Sequence, residues 1–473
     1  QVDDLVCVGF GPASLAIAVA LHDALEAGQL PHPPKVRFLE KQVAFAWHAG
    51  MLLPGARMQI TFIKDLATLR NPRSRFTFLN YLHDRARLVA FANLGTFLPQ
   101  RIEYEDYMRW CARHFDPVVD YARDVHAVHV GHTDSATGLV EWFDVTSTDT
   151  RTGETTTNRA RNVVVAVGGR PNIPPSLQLH HPAVIHSSQY VTTLDSSSSS
   201  SAASSSSAPR SVAIIGAGQS AAEIFHNIPS RFSSCRSHLL IRDAALRPSD
   251  DSPFVNEIFD PRRVHDIYAQ HPDTRAAAIA RDKQTNYGVV RLQLLDDIYA
   301  ALYAQHLRFP HEQDWPHQIL PHRCITRLEA LPPDSSAGAI RLHIDDHSPA
   351  FRAPSPASSP VSPAPRQHHL DVDLVVLASG YTRTAHEALL APLHHLMPRA
   401  SATARWTVRE DYSVEFRPYA VRPDAGVWLQ GCNEATHGLS DTLLSILAVR
   451  AGELVERIFR ARGGGGRETG KGE

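Results

Sequence analysis

The sequence holds only five cysteines in 473 residues. They are Cys7, Cys111, Cys235, Cys324 and Cys432, and no two of them form a CxxC pair. That scarcity excludes a disulfide framework, a thiol-redox pair and a zinc ribbon together. Also missing is any uninterrupted apolar run of the roughly 18 to 20 residues that a membrane helix needs, so no membrane partner is expected. There is no excess of either charge: 47 Lys and Arg against 49 Asp and Glu leave a formal charge of -2. A chain without a basic field does not gather polyanions, which argues against nucleic acid. The 27 histidines include His126, His129 and His132, but these lie in a strand-like segment without ligand spacing, and no metal site is expected. The chain opens on Gln1, which leaves a segment upstream open, and the acidic Asp3 and Asp4 are unlike the basic region of a secretory leader. A cytoplasmic location is expected.

What is present is enough apolar material for a folded core: 43% hydrophobic residues and a mean hydropathy of -0.22. A chain of 473 residues exceeds what one core usually organises, so two or more domains are expected. Three segments fall outside any packed pattern: residues 195–209, nearly all Ser and Ala, residues 348–366, rich in Pro and Ser, and the Gly-rich stretch from 463. Such tracts bury too little surface to offset their ordering entropy. They are expected as mobile insertions or ends that carry no chemistry.

Two stretches read as strand, glycine turn and helix. In DLVCVGFGPASLAIAVALHDALEAG, an apolar strand leads through Gly9 and Gly11 into a helix with Pro12 in its first turn and Gly28 just past its end. The glycines permit a tight turn and close backbone approach to a pyrophosphate held at the helix N-terminus. The next strand, VRFLE, delivers Glu40, whose carboxylate accepts ribose hydroxyls and repels a 2′-phosphate, so this unit favours FAD or NAD over NADP. In SVAIIGAGQSAAEIFHNI the same grammar recurs with Gly216, Gly218 and Ala221, and the following strand SHLLIRD carries Arg242 where the first unit has its acid. A guanidinium there pairs with a 2′-phosphate, so the second unit favours NADPH. Two units of opposite preference imply FAD reduced by NADPH. A third small-residue turn, Ala378 to Tyr381, ends the strand VDLVVLASGY.

The stretches EKQVAFAWH, MQITFIKDLATLRNPRSRFTFLNYL, GQSAAEIF, RPSDDSPFVNEIF, TNYGVVR and HGLSDTLLS resemble those of the siderophore L-ornithine N5-monooxygenases, the N-hydroxylating flavin monooxygenases of fungal type. The resemblance covers nearly the whole chain outside the three foreign segments. It implies an α/β fold with two Rossmann-like dinucleotide-binding domains and a small, mostly helical substrate region. The FAD-binding domain is then formed by residues 1–175 and 371–462, and the NADPH-binding domain by residues 176–370, with residues 463–473 a flexible tail. FAD is the cofactor, NADPH, O2 and L-ornithine are the reactants, and a homotetramer is implied.

Carried over by position, the resemblance puts Gly9, Gly11, Pro12, Glu40, Lys41, Gln42, Val43, Ala44, Phe45, Ala46, Trp47, His48, Gln59, Val125, Thr442, Leu443 and Leu444 against FAD. Gly216, Ala217, Gly218, Gln219, Ser220, Arg242, Asn286, Tyr287 and Gly288 fall to NADP. Lys64, Asn256, Glu257, Ile258, Phe259 and Ser445 fall to the amino acid, with Met58 near the flavin ring. The chemistry is consistent, since a zwitterion needs a cation for its carboxylate and acceptors for its ammonium, which Lys64 and Asn256 supply. By themselves Lys64 reads as a solvated lysine at a strand-to-helix junction, Asn256 and Asn286 as turn residues, and Ser445 as a serine on an amphipathic helix.

The implied reaction is N5-hydroxylation of ornithine through a C4a-hydroperoxyflavin, with no side chain identified as a general base. The alternatives are an L-lysine N6-monooxygenase and, more distantly, a non-catalytic dinucleotide-binding sensor. A Baeyer–Villiger type enzyme is disfavoured because VIHSSQY around His186 lacks the FxG pattern upstream of the histidine.

Overall fold

Two sheets, one mixed and one parallel, each built around a strand that ends in a glycine turn, carry the molecule. The computed structural model describes residues 1–199, 208–332, 335–348, 365–399 and 405–460. In the first sheet Asp3–Val8 lies parallel between Val36–Leu39 and Thr155–Val165, with Cys7 opposite Phe38 on one side and Val164 on the other. Leu5 to Val8 are fully buried, as expected of a parallel strand covered on both faces. On its other edge Thr155–Val165 serves two further partners. Its first half pairs antiparallel with Val140–Asp149, and its second half takes Gly426–Leu429 in parallel, Val164 facing Trp428. A late segment of the chain thus returns to a sheet begun by the first. Helix Pro12–Glu26 is covered by the late helix Leu447–Arg460, with Ala16, Ala20, Leu454 and Ile458 in one apolar cluster.

The second sheet has Ser211–Ile215 between Arg236–Leu240 and Leu374–Leu377, with His317–Leu320 and Val184–His186 at its edges, all parallel. An antiparallel meander of Arg323–Ala330, Ile340–Asp346 and Arg366–Val372 packs against it through Ile325, Leu342 and Ile344. Between Arg236–Leu240 and His317–Leu320 run the helices Pro253–Asn256, Arg263–Ala269, Pro272–Asp282 and Leu292–His306. Leu374–Leu377 belongs to this sheet, and the chain leaves it at Ala378 to Gly380.

The two crossings are bound to each other. Arg170–Pro171 pairs with Tyr381–Thr382, and the Asn172 amide donates to Gly380 O at 2.9 Å. Buried His186 accepts the Ser188 amide at Nδ1, 3.2 Å, which leaves Nε2 to donate to Gly380 O at 3.1 Å. The tautomer follows from those two partners.

Three local expectations fail. Residues 195–199, expected within a mobile insertion, continue the helix Tyr190–Ser199. The helix is anchored by buried Tyr190, which donates to Asn227 Oδ1 at 3.1 Å, and by Asp195, 2.6 Å from Arg231. The rest of that serine tract, residues 200–207, lies outside the described residues, as do 349–364 and the tail from 461. Ser445 is not on the long helix, which begins at Leu447, but in a single turn before it, Leu444–Ile446. Lys64 is not at a strand-to-helix junction either. It sits in an irregular loop shaped by buried Asp65, which accepts the amides of Ala67, Thr68 and Phe78 at 2.9, 2.6 and 2.7 Å.

Candidate functional site

The first glycine turn is a cradle with room in front of it. Gly9 has φ +90, and a Cβ there would lie 2.7 Å from Ala166 O, so no side chain fits. Gly11 caps helix Pro12–Glu26 without a side-chain cap or an acid in the first turn, and nothing lies within 4 Å of a Cβ built on it. The first-turn amides therefore face open space at the positive end of the helix dipole, the arrangement that holds a pyrophosphate. Glu40 is buried, and its Oε2 accepts the Phe10 amide at 2.6 Å while Oε1 accepts the Gln42 amide at 2.8 Å. The acid is locked to the turn it serves, and each oxygen keeps a lone pair for a ribose hydroxyl. These features fit an adenine dinucleotide.

The loop from Lys41 to His48 closes one side. Lys41 Nζ pairs with Asp124 at 2.7 Å, and Ala122 and Arg123 donate their amides to Gln42 O and Glu40 O at 2.9 and 2.7 Å. Those bonds bring the strand carrying half-buried Val125 to the loop. Phe45 is buried edge-on against Phe10, ring centres 6.1 Å apart, whereas Val43 and Ala44 are exposed. Trp47 contacts His48 at 5.0 Å, and His48 faces Tyr381 of the second crossing at 6.0 Å. Met58 is buried, but exposed Gln59 has no hydrogen bond to this loop among the described residues.

The second cradle repeats the first. Gly216 has φ +143, and a Cβ there would meet Ala378 O at 2.5 Å. Gly218 caps helix Gln219–Arg231, again without a side-chain cap. A Cβ on Gly218 would lie 3.6 Å from Gly288 Cα, so the turn Asn286 to Gly288 passes close to the helix start, where Ala217 and Ser220 flank Gly218 and Gln219 in sequence. Gln219 is committed elsewhere. It accepts the Arg291 amide at 2.9 Å and donates to Glu223 Oε1 at 2.9 Å, and Glu223 takes both terminal nitrogens of Arg101 at 2.9 and 2.8 Å. It therefore belongs to a clamp between two helices, with its amide groups already occupied. Arg242, two residues past strand Arg236–Leu240, is exposed and has no ion pair or hydrogen bond among the described residues. A groove of about 800 Å³ between helices Gln219–Arg231 and Leu292–His306 is lined by Gln219, Glu223 and Arg291, the residues of that clamp.

The residues expected at the amino acid come from three segments of the chain. Lys64 is half-buried with no carboxylate within 4 Å among the described residues. Burial pulls its pKa below the ordinary lysine value, and Asp260 alone draws it back up. Asp260 directly follows the turn Asn256, Glu257, Ile258 and Phe259. Asn256 donates its amide to Asp251 O at 2.9 Å, and its Oδ1 accepts no hydrogen bond among the described residues. Glu257 pairs with Arg263, and Phe259 is buried. Ser445 is buried and its Oγ has no hydrogen-bond partner among the described residues. Thr442, just before Leu443 and Leu444, lies 3.4 Å from the Tyr287 hydroxyl, so the expected flavin and coenzyme segments touch. Behind them buried Asp441 holds Arg450 at 2.8 Å and accepts the Asn433 amide at 2.6 Å.

Sequence reasoning missed Glu434, which binds both Lys283 and Tyr287. No local pattern marks it. The one group of metal-ligating side chains among the described residues is His22, Asp23 and Glu26, and Asp23 is already taken by Arg70 and Ser74 at 2.6 and 2.9 Å.

Residues 1–383 match the family model described as L-lysine 6-monooxygenase/L-ornithine 5-monooxygenase. The L-ornithine N(5)-monooxygenase of Cochliobolus heterostrophus is 52% identical over 473 residues, covering 97% of this chain and 87% of that one. The ornithine hydroxylase of Pseudomonas aeruginosa superposes with a TM-score of 0.82 at 34% identity, covering 97% of this chain and 99% of its own. The ornithine N-hydroxylase of a Kutzneria species, solved with reduced FAD, NADP+ and L-ornithine, gives a TM-score of 0.83 at 32% identity, with coverage of 98% and 100%.

Proposed function

The chain belongs to the L-lysine 6-monooxygenase/L-ornithine 5-monooxygenase family, and from that premise we propose that it is a flavoenzyme that hydroxylates the side-chain amine of L-ornithine, giving N5-hydroxy-L-ornithine for hydroxamate siderophores. The balance is amine, O2, NADPH and a proton giving hydroxylated amine, water and NADP+. Bound FAD, reduced by NADPH, supplies the activation of O2. The chain's own share is to bind, orient and exclude water.

The observation that carries the reading is Lys64, a half-buried cation with no carboxylate within 4 Å among the described residues, whose ammonium is disfavoured by burial and drawn back by Asp260, the residue that follows the turn Asn256 to Phe259. Burial disfavours the ammonium, and a substrate carboxylate restores what burial removed. Asn256 Oδ1 accepts the α-ammonium, and the unpartnered Ser445 hydroxyl serves the flavin-side end of the pocket. Glu40 holds the FAD ribose. Ornithine is favoured over lysine by the names of the relatives. The test is the yield of hydroxylated amine per NADPH with ornithine, lysine and putrescine. Ornithine should give high yield, and putrescine, lacking the carboxylate, chiefly hydrogen peroxide. Equal yields from all three would overturn the assignment of Lys64.

Arg242 is assigned to the 2′-phosphate of NADPH, on the strength of its free guanidinium past the second strand of the coenzyme sheet. Hydrogen bonds to charged groups contribute about 1.5 to 3 kcal/mol, so Arg242→Ala should raise the KM for NADPH at least about tenfold and leave that for NADH nearly unchanged. Equal losses with both coenzymes would contradict the role. The same reading takes residues 1–175 with those from the crossing at Ala378 onward as the FAD domain, and the segment between as the coenzyme domain. On the family resemblance it takes the enzyme as a cytoplasmic homotetramer. Among the described residues no helix is long and apolar enough to cross a membrane.

A further inference from the structure

The coenzyme-side turn and the flavin-side segment meet at one carboxylate. Glu434 opens the short helix Glu434–His437 and its side chain is 21% exposed. One oxygen lies 2.6 Å from Lys283 Nζ, and the other accepts the Tyr287 hydroxyl at 2.6 Å. The Lys283 ammonium also sits 5.7 Å from the centre of the Tyr287 ring. Gly288 follows Tyr287 with φ +69, and its Cα is what a side chain on Gly218 would touch. A single acid therefore holds both ends of the stretch Lys283 to Tyr287 and, through it, the turn over the coenzyme helix.

The surrounding helices do not depend on that acid for docking. Arg275 donates to Ala435 O at 3.0 Å, Tyr268 donates to Val408 O at 3.2 Å, and Gly438 is packed against the Ile267 side chain. Loss of the Glu434 carboxylate leaves those contacts in place and releases the turn.

We propose that Glu434 is a positioning residue that fixes the Asn286 to Gly288 turn, and with it the bound coenzyme, against the flavin segment Thr442 to Leu444. The proposal rests on the reading of the chain as an NADPH- and FAD-dependent hydroxylase. An isolated surface ion pair would contribute little. Here both carboxylate oxygens are used by one loop, one of them by a neutral hydroxyl that no salt screens. Coenzyme that leaves early opens the flavin to water, and O2 is then reduced by NADPH to hydrogen peroxide without oxygen transfer.

The test is the Kd of NADP+ for the FAD-loaded protein by titration calorimetry, with FAD content, melting temperature and hydroxylated amine per NADPH alongside. Glu434→Ala should weaken NADP+ by about tenfold at unchanged FAD content and melting temperature, with peroxide rising as product falls. Tyr287→Phe should weaken NADP+ less, and the double variant should be no worse than Glu434→Ala, because both remove one shared contact. Glu434→Gln, which keeps an acceptor for the tyrosine, should restore part of the affinity. An unchanged Kd in Glu434→Ala, additive losses in the double variant, or FAD loss in step with NADP+ loss would overturn the proposal. Should Glu434→Ala not fold, Tyr287→Phe and Glu434→Gln decide by the same Kd. A parent protein that fails to hydroxylate ornithine would sink the functional reading and leave the Kd comparison standing.

Discussion

Lys64→Ala should consume NADPH and O2 in the presence of ornithine and release hydrogen peroxide in place of hydroxylated amine. The lysine lies in a loop fixed by Asp65 and belongs to neither glycine turn, so flavin binding and reduction should not depend on its charge. What depends on it is where the δ-amine sits. Misplacing a reacting atom by about 1 Å costs on the order of a hundredfold in rate, and the flavin's oxygen chemistry does not wait for a substrate out of line. The yield of product per NADPH should therefore fall far more than the rate of NADPH oxidation. Putrescine should separate parent from variant only slightly, because it brings no carboxylate to the lysine. Lys64→Ala that hydroxylates ornithine with unchanged KM and yield would make Lys64 an ordinary half-buried lysine.

The second large effect is expected at Glu40. Its carboxylate binds the Phe10 and Gln42 amides at 2.6 and 2.8 Å in a buried site. Glu40→Arg removes both acceptors and brings a cation against two N–H groups. Each orphaned donor costs about 1 to 3 kcal/mol, and the ribose loses its acceptor as well. The variant should be purified nearly colourless, with FAD affinity lowered on the order of a hundredfold or more. Glu40→Gln, which keeps one acceptor oxygen, should retain FAD at an intermediate level. Flavin content per protein, read from the visible spectrum, checks both, and parent-like content in Glu40→Arg would refute the ribose role.

The parts legible in the sequence were those whose physics is local. Gly9 and Gly216 are forced by close carbonyls at the ends of their strands, Ala166 O and Ala378 O, and a glycine between an apolar run and a helical pattern announces that geometry. The positions of Glu40 and Arg242 were legible because each follows the end of a short strand. Ser445 was misplaced by periodicity. The apolar spacing from Leu439 onward is helical, but Arg450 reaches back to hold Asp441 O at 2.7 Å. That carbonyl is spent on a side chain, and the segment descends in single turns until Leu447. Composition misled at Asp195, where a salt bridge to Arg231 and buried Tyr190 carry a helix into a serine tract. Glu434 was illegible for a different reason. Its partners Lys283 and Tyr287 lie some 150 residues earlier in the chain, and only the folded seam brings them together. Gln219 matched its motif, yet its amide is bound to Arg291 and Glu223, which spacing alone does not reveal.

The central claim is that this chain transfers one oxygen atom from O2 to the side-chain nitrogen of ornithine at the expense of NADPH. Its most direct test is to reduce the FAD-loaded protein with NADPH under anaerobic conditions, mix it with isotopically heavy O2 and ornithine, and read the product by mass. The account predicts N5-hydroxy-L-ornithine carrying one heavy oxygen atom per flavin reduced, with little labelled peroxide. Flavin reoxidation that yields only labelled peroxide, with ornithine recovered unchanged, would contradict it.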